Sequence, residues 1–422
     1  MKKNLRFVSL ALLSLCSLAL AGCGETTPDT PDEPDEPVAK TINLVYSGTG
    51  TNKYFNESLF DDFKTEMKAN GDINTYNITY VEHGPDKVDS EVTDWKTGPD
   101  VYEFASDKVS GLYSKGALAE LKGDYKSFVT TANNSFGVSA ATFNEKLIAY
   151  PYTGDNTYYL QYDKSVLTED DVSSIEKLLA KANTLGKKVG YNLPEGFWGA
   201  AAMFTFGADY SMTFDDQGQV SKVDADFDSE KGIKAAKAIY SIVTDKAWVK
   251  DMEAPSESNN LIACMAGTWD ISNYKTALKD NYGCAVMPNV TVDGETKHLG
   301  AFLGGKLFGV NPQVSSDDND RLTAAHKLAM FLSGEKCQLK RFYAYETAPC
   351  NKTATASEAV TSNANVKVLS EQGSFAHAQT SVPGNFWTAP ATLINGMIDG
   401  TVTLDNLSDA CKTLNDNIKA SK

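Results

Sequence analysis

From Thr41 onward the chain alternates short apolar runs with amphipathic stretches. Residues 41–46 read as a buried strand. The next segment sets Phe55, Leu59, Phe60, Phe63 and Met67 on one helical face before 77–82 returns as a strand. Val101–Ala105 and 147–152 are further apolar runs. Ser173-x-x-Glu176 has the form of a capping box ahead of a helix with Ile175, Leu178, Leu179 and Leu185 on one side. Ile233, Ala236, Tyr240 and Val243 mark another helix, as do Leu322, Ala325, Leu328 and Leu332. Leu407, Cys411, Leu414 and Ile418 mark a last one. This alternation predicts α/β architecture with largely parallel sheets, and no internal repeat of fixed period interrupts it.

The N-terminus departs from the pattern. Lys2, Lys3 and Arg6 precede a Leu/Ala/Ser-rich run over 7–20 that is short for a membrane span and ends in small residues, as export signals do. Leu20-Ala21-Gly22-Cys23 resembles the processing box of bacterial lipoproteins. The resemblance implies a signal peptide over 1–22, cleavage before Cys23 and lipidation of that cysteine, hence an extracytoplasmic protein anchored to the cell membrane. Residues 24–37 include Asp32-Glu33-Pro34 and Asp35-Glu36-Pro37 but no Leu, Ile, Val or aromatic side chain. Such a segment buries too little to offset its ordering entropy. The stretch 23–40 is expected to be a disordered acidic linker, reaching on the order of 50 Å when extended by its prolines.

Charge narrows the partners. The 422 residues carry a net charge of −16, and the signal holds three bases and no acid, so the remainder is more negative still. That surface repels phosphate backbones and anionic lipid, which argues against nucleic acid and favours a neutral ligand. About 400 residues after cleavage exceed one simple core and suit two lobes. Beyond Cys16 and Cys23 lie Cys264, Cys284, Cys337, Cys350 and Cys411, without CxxC spacing, which argues against zinc ribbons and redox motifs. Cys264 and Cys284 sit in apolar runs that could pair as strands; a bridge and buried free thiols both stay open.

Catalytic signatures are missing. His83, His298, His326 and His377 are scattered, and neither HExxH nor GxSxG occurs. The run from Gly300 to Leu307 has GxxxxGK spacing but puts Leu307 where a phosphate loop needs Ser or Thr, and it reads as backbone flexibility between two strands. Paired carboxylates are too common in an acidic chain to single out a glycosidase. No catalytic residue, metal or cofactor is expected.

Aromatic residues beside short polar ones stand out instead. Phe197-Trp198 follows Glu195-Gly196, Trp269 lies in Gly267-Thr268-Trp269-Asp270, and Phe386-Trp387 follows Pro383-Gly384-Asn385. Gly and Pro neighbours suggest turns, where tryptophan is harder to bury as core. An indole face suits the C–H face of a pyranose, while carboxylates and amides accept hydroxyl protons. Trp95 and Trp248 read as ordinary core.

Several segments carry a family resemblance. They are Gly98-Pro99-Asp100-Val101, Phe104-Ala105-Ser106-Asp107-Lys108, Gly116-Ala117-Leu118-Ala119-Glu120-Leu121, Asn144-Glu145-Lys146-Leu147-Ile148-Ala149-Tyr150-Pro151, Tyr282-Gly283-Cys284-Ala285-Val286-Met287-Pro288 and the tail around Phe386-Trp387. In order over about 41–420 they resemble family 1 of the extracellular solute-binding proteins, in particular the maltose/maltodextrin-binding lipoproteins of ABC importers. The resemblance implies a two-lobe periplasmic-binding-protein-like (type II) α/β fold with three hinge crossings near 153–155, 299–303 and 342–348. The lobes would be 41–153 with 303–345, and 154–302 with 346–422. Sugar would bind in the cleft between them.

By position, Asp107 and Lys108 fall at an Asp-Arg pair on sugar hydroxyls, Phe104 at a tryptophan and Asp155 at a glutamate. Glu195, Phe197 and Trp198 fall at a Glu, a Tyr and a Phe; Trp269 and Trp387 match stacking tryptophans. Asn52-Lys53 aligns with an Asp-Lys pair and Asp89 with a glutamate. Three departures bear on recognition. Lys108 cannot make arginine's forked contact, Phe197 lacks a hydroxyl, and Ala391 stands at an arginine. The implied protein is a non-enzymatic monomer that binds a maltodextrin-like oligosaccharide and closes on it for an ABC permease. A glycan-capture lipoprotein, a receptor for another oligosaccharide and a secreted glycosidase are the alternatives.

Overall fold

Ile42, Leu44 and Tyr46 of the strand Thr41–Gly48 and Leu59, Phe60 and Phe63 of the helix Lys53–Ala69 are all buried in one core. Edge-on ring contacts fix the packing, Tyr46 with Phe60 at 5.0 Å and Phe63 with Tyr76 at 5.1 Å between centroids. The computed structural model describes residues 38–314 and 316–421. The expected signal, Cys23 and the linker up to residue 37 lie outside the described residues.

The first sheet runs in the order His377–Ala378, Phe302–Val310, Val101–Ala105, Thr41–Gly48, Thr75–Glu82, with Tyr150–Asn156 also paired to Phe302–Val310. The second runs Trp248–Val249, Lys188–Gly190, Leu261–Gly267, Tyr158–Asp163, Tyr282–Ala285. Both sheets are mixed rather than largely parallel. Phe302–Val310 is antiparallel to Val101–Ala105, and Tyr158–Asp163 is antiparallel to both its neighbours. Tyr158–Asp163 follows a passage of the chain from one core to the other and Phe302–Val310 itself makes one, so each enters its sheet from the end opposite to the βαβ strands.

Those passages define the layout. One core draws on residues between Ile42 and Tyr152 and between Leu307 and Cys337; the other draws on Tyr158 to Phe302 and Phe386 to Ile418. The chain therefore passes between cores three times. After Glu346 it stays laced to both. Asn351 bridges to Asn133 on one side, while the Glu346 carboxylate accepts from Asn363 at 2.9 Å and Asn365 at 3.0 Å and pairs with Lys275.

Local expectations shift in two places. The 147–152 run splits, because Asn144 and Glu145 both take positive φ (47° and 62°) and fold Lys146–Leu147 back on Thr142–Phe143. The cap of Ile175–Leu185 is Ser174 rather than Ser173; its hydroxyl accepts from Lys177 N at 3.3 Å. Glu176 leaves the box to accept from Thr291 N at 2.7 Å, a tertiary partner that outcompetes the local one.

Cys264 and Cys284 are free. They sit on opposite sides of Tyr158–Asp163, both in register with Gln161. Two strand spacings of about 4.8 Å separate them, beyond the roughly 7 Å Cα reach of a disulfide. Among the described residues no helix is long and apolar enough to cross a membrane, and no group of His, Cys, Asp and Glu could hold a metal ion.

Candidate binding site

Several strands end in a turn that carries polar or aromatic residues to one place. Thr41–Gly48 leads to the turn Gly50–Asn52, Val101–Ala105 to Ser106–Lys108, and Leu261–Gly267 to Thr268–Asp270. Lys188–Gly190 is followed by the helix Gly196–Ala202, capped by Glu195. These are the carboxyl ends of strands, where α/β sheets leave room for ligands. Between the two cores the turns enclose a cavity of about 650 Å³.

One wall is aromatic. Phe197 is its hub, with ring centroids 6.2 Å from both Trp269 and Trp387 and 5.5 Å from the buried Phe302. Trp269 is 45% exposed, unusual for an indole whose neighbours are packed, and its free face borders the cavity. Close approach sets Gly196 here: a Cβ on it would lie 2.5 Å from Trp387 O and 2.8 Å from Trp387 Cβ.

The rest of the lining is polar and charged. Asp107 is buried, accepts from Gln379 Nε2 at 2.9 Å, and has its pKa pushed up to about 6 by burial, against the pull of the Lys108 charge. Lys108 Nζ lies 3.6 Å from Asp89 Oδ1 and 3.9 Å from Asp107 Oδ2. Glu195 is exposed at the mouth, where its carboxylate accepts from Phe197 N at 3.0 Å. Enough protein surrounds that carboxylate to raise its pKa by desolvation. Lys306 Nζ lies 5.8 Å from the Trp269 ring centroid.

Six sequence-predicted residues line this one cavity: Asp107, Lys108, Glu195, Phe197, Trp269 and Trp387. The other five lie elsewhere. Phe104 is fully buried in the first core beside Tyr102, since its strand reaches the cavity only at Ala105. Lys53 starts a helix and turns its ammonium to the Tyr80 ring, 5.9 Å from the centroid, leaving Asn52 in the wall. Asp89 stands behind Lys108. Trp198 backs Phe197, with Nε1 donating to Met265 O at 3.1 Å and its ring 5.7 Å from Tyr158. Asp155 is buried in the first passage, where Oδ2 accepts from Ala348 N at 2.7 Å and its carbonyl from Thr268 Oγ1 at 2.6 Å. It joins two passages and a site turn rather than facing the cavity.

Sequence reasoning missed Asn156, Lys306, Arg341, Tyr345 and Gln379, which also line the cavity. Lys306 lay in the glycine-rich run read as a flexible linker, which is the strand Phe302–Val310. Arg341 and Gln379 sit in stretches with no local motif.

Comparison with other proteins places the chain. A chain solved with acarbose is 27% identical, with a TM-score of 0.77 over 90% of this chain and 99% of that one. The maltodextrin-binding protein of L. casei BL23, solved without ligand, has a TM-score of 0.77 at 22% identity over 91% of this chain and 100% of that one, which shows the shared fold. The galactooligosaccharide-binding protein of Bacillus subtilis (strain 168) is 23% identical over 338 residues, 75% of this chain and 77% of the relative. The two-lobe α/β fold and the match of residues 58–368 to the model of the bacterial extracellular solute-binding proteins together make this chain a member of that non-enzymatic family.

Proposed function

We propose that this protein is the membrane-anchored substrate-binding component of a carbohydrate ABC importer, taking maltose/maltodextrin-type oligosaccharides in the interlobe cavity. The carrying observation is the aromatic cluster of Phe197, Trp269 and Trp387, which lines one cavity of about 650 Å³ together with carboxylate and cationic groups. Aromatic faces bury the apolar face of a sugar ring, and the polar wall meets its hydroxyls. The acarbose-bound relative supports a glucan-like ligand.

Contacts from both walls exist together only when the lobes close, so ligand shifts the equilibrium towards closure. The lobes are taken as 41–153 with 303–345 and 154–302 with 346–422, hinged at the three passages. Micromolar affinity requires about −8 kcal/mol net, within reach of three stacked rings and a few polar contacts after ordering costs. The closed face is then offered to the permease, and a lipid on Cys23 keeps the protein beside it.

Indole emission titrated with α- and β-linked oligosaccharides tests the reading. A saturable response to maltotriose or maltotetraose is expected. Silence to glucans with a response to galactooligosaccharides, the named ligand of the Bacillus subtilis relative, would move the ligand class and keep the cleft. Mass spectrometry of the mature N-terminus tests the anchor; an unmodified Cys23 in membrane-extracted protein would refute it.

A further inference from the structure

The run from Gly300 to Leu307 holds one polar side chain, Lys306, and it lines the cavity. Lys306 pairs with Ala105 on one side and Thr153 on the other, and both of those residues line the cavity too. The register against Tyr150–Asn156 slips on each side of it, between Gly304 and Lys306 and again between Lys306 and Leu307. Irregularities of this kind re-aim a side chain. Here they turn a lysine out of a strand in which Phe302, Leu307 and Phe308 are fully buried.

Lys306 is half-buried. Among the described residues no hydrogen bond or ion pair holds its ammonium, which is not sealed from solvent. The other two lining cations have carboxylates to answer: Lys108 lies beside Asp89 and Asp107, and Arg341 feels the charge of Glu103. The Lys306 charge holds the buried Asp155 carboxyl lower than burial alone would, without an ion pair between them. Its Nζ lies 5.8 Å from the Trp269 ring centroid. That approach crosses between cores, since Lys306 belongs to the strand Phe302–Val310 of the first sheet and Trp269 to the turn after Leu261–Gly267 of the second. A pyranose in contact with the indole sits about 3.5–4 Å above it, so hydroxyls on the edge nearer the first sheet come within reach of Nζ. An ammonium brings three donors and exchanges only water for them. Asp86, Asp107 and Glu195 offset Lys108, Lys306 and Arg341 in the lining, so the cavity as a whole suits a neutral sugar better than an anionic one.

We propose that Lys306 is a ligand-contacting, specificity-determining residue, whose ammonium donates to a hydroxyl oxygen of the neutral sugar ring stacked on Trp269. The ring held by the indole of one core is then read by a lysine of the other, so this contact also ties binding to the meeting of the two. The inference rests on the saccharide reading above.

Calorimetric titration of the wild type and Lys306→Met with maltotriose and its monodeoxy analogues, each lacking one hydroxyl, tests it, with melting temperatures recorded in parallel. Lys306→Met should bind maltotriose about tenfold more weakly, as loss of a charged donor implies, with little change in melting temperature. At least one deoxy analogue should bind the wild type more weakly than maltotriose does, yet bind Lys306→Met as well as maltotriose does. That analogue marks the hydroxyl that Nζ meets. A lysine that only balanced Asp155 or braced Trp269 would lower the affinity for every analogue alike, and that result overturns the proposal. Binding of maltotriose by Lys306→Met within threefold of the wild type overturns it as well. Should Lys306→Met not fold, Lys306→Ala takes its place in the same comparison. A wild type that does not bind maltotriose overturns the maltodextrin reading and this inference with it, an outcome read from the wild-type arm alone.

Discussion

Gln379 donates from Nε2 to Asp107 Oδ1 at 2.9 Å while its Oε1 accepts from Asn156 Nδ2 at 2.7 Å. One buried amide therefore ties the turn after Val101–Ala105 to the first passage between cores and to the segment that leads on to Trp387. Ser106 Oγ strengthens the tie by donating to Gln379 O at 2.7 Å. The polar wall and the approach to the aromatic wall are mechanically joined through position 379.

Asp107 makes this network sensitive to pH. Between the ordinary carboxylate range and about 6, the folded protein holds a proton there that the unfolded chain has released. Stability from this group therefore falls as pH rises through that window, and the buried charge costs roughly 3 kcal/mol above it. Asp107→Asn should melt higher than the wild type at pH 7, with the gap closing towards pH 4. A gap that is constant from pH 4 to 7 would show an ordinary proton affinity at this site.

Trp269 and Trp198 should separate binding from stability. Trp269 is 45% exposed, so Trp269→Ala is expected to weaken oligosaccharide binding about tenfold with little change in melting temperature. Trp198 is half-buried and hydrogen-bonded to Met265 O. Its replacement by alanine should cost about 3 kcal/mol of folding stability. Denaturant melts and titrations of both variants check the contrast; equal losses of affinity and stability in both would refute it.

Gly196→Ala should act through Trp387. The new methyl would sit 2.5 Å from Trp387 O, forcing the backbones apart at a cost of about 1–3 kcal/mol and displacing the indole. Binding is expected to weaken, and the same change in a Trp387→Ala background should weaken it no further. Additive losses would mean that Gly196 acts by another route.

Asp100 and Arg321 offer a control far from the ligand. Arg321 donates from Nε to Asp100 Oδ1 at 2.7 Å and from Nη2 to Oδ2 at 2.9 Å, and the Asp100 side chain is fully buried. Arg321→Met removes the guanidinium from a buried carboxylate whose Oδ2 still accepts from Val45 N at 2.7 Å, and should cost about 3 kcal/mol. The pair lies at the start of Val101–Ala105, whereas the cavity opens at its far end. Affinity measured below the melting transition should stay within twofold of the wild type.

Periodicity along the chain was enough to locate Thr41–Gly48, Lys53–Ala69, Val101–Ala105 and Leu407–Lys419, because burial of one face leaves its period in the residues. Aromatic residues flanked by glycine in polar turns likewise pointed to Phe197, Trp269 and Trp387. What the chain could not declare by itself was direction and partnership. Asp155 carries a carboxylate in either case, and only the third passage, arriving with Ala348 N, turns it from the cavity. Phe104 and Ala105 are neighbours in sequence, yet the end of the strand falls between core and cavity at that point. Gln379 is placed by Asp107, 272 residues earlier, Arg341 by the distant Tyr152 ring, and Lys306 by its strand's pairing with Val101–Ala105. Local patterns record which face is buried; which side chains converge on a space between two cores depends on long-range packing that no short window of residues contains.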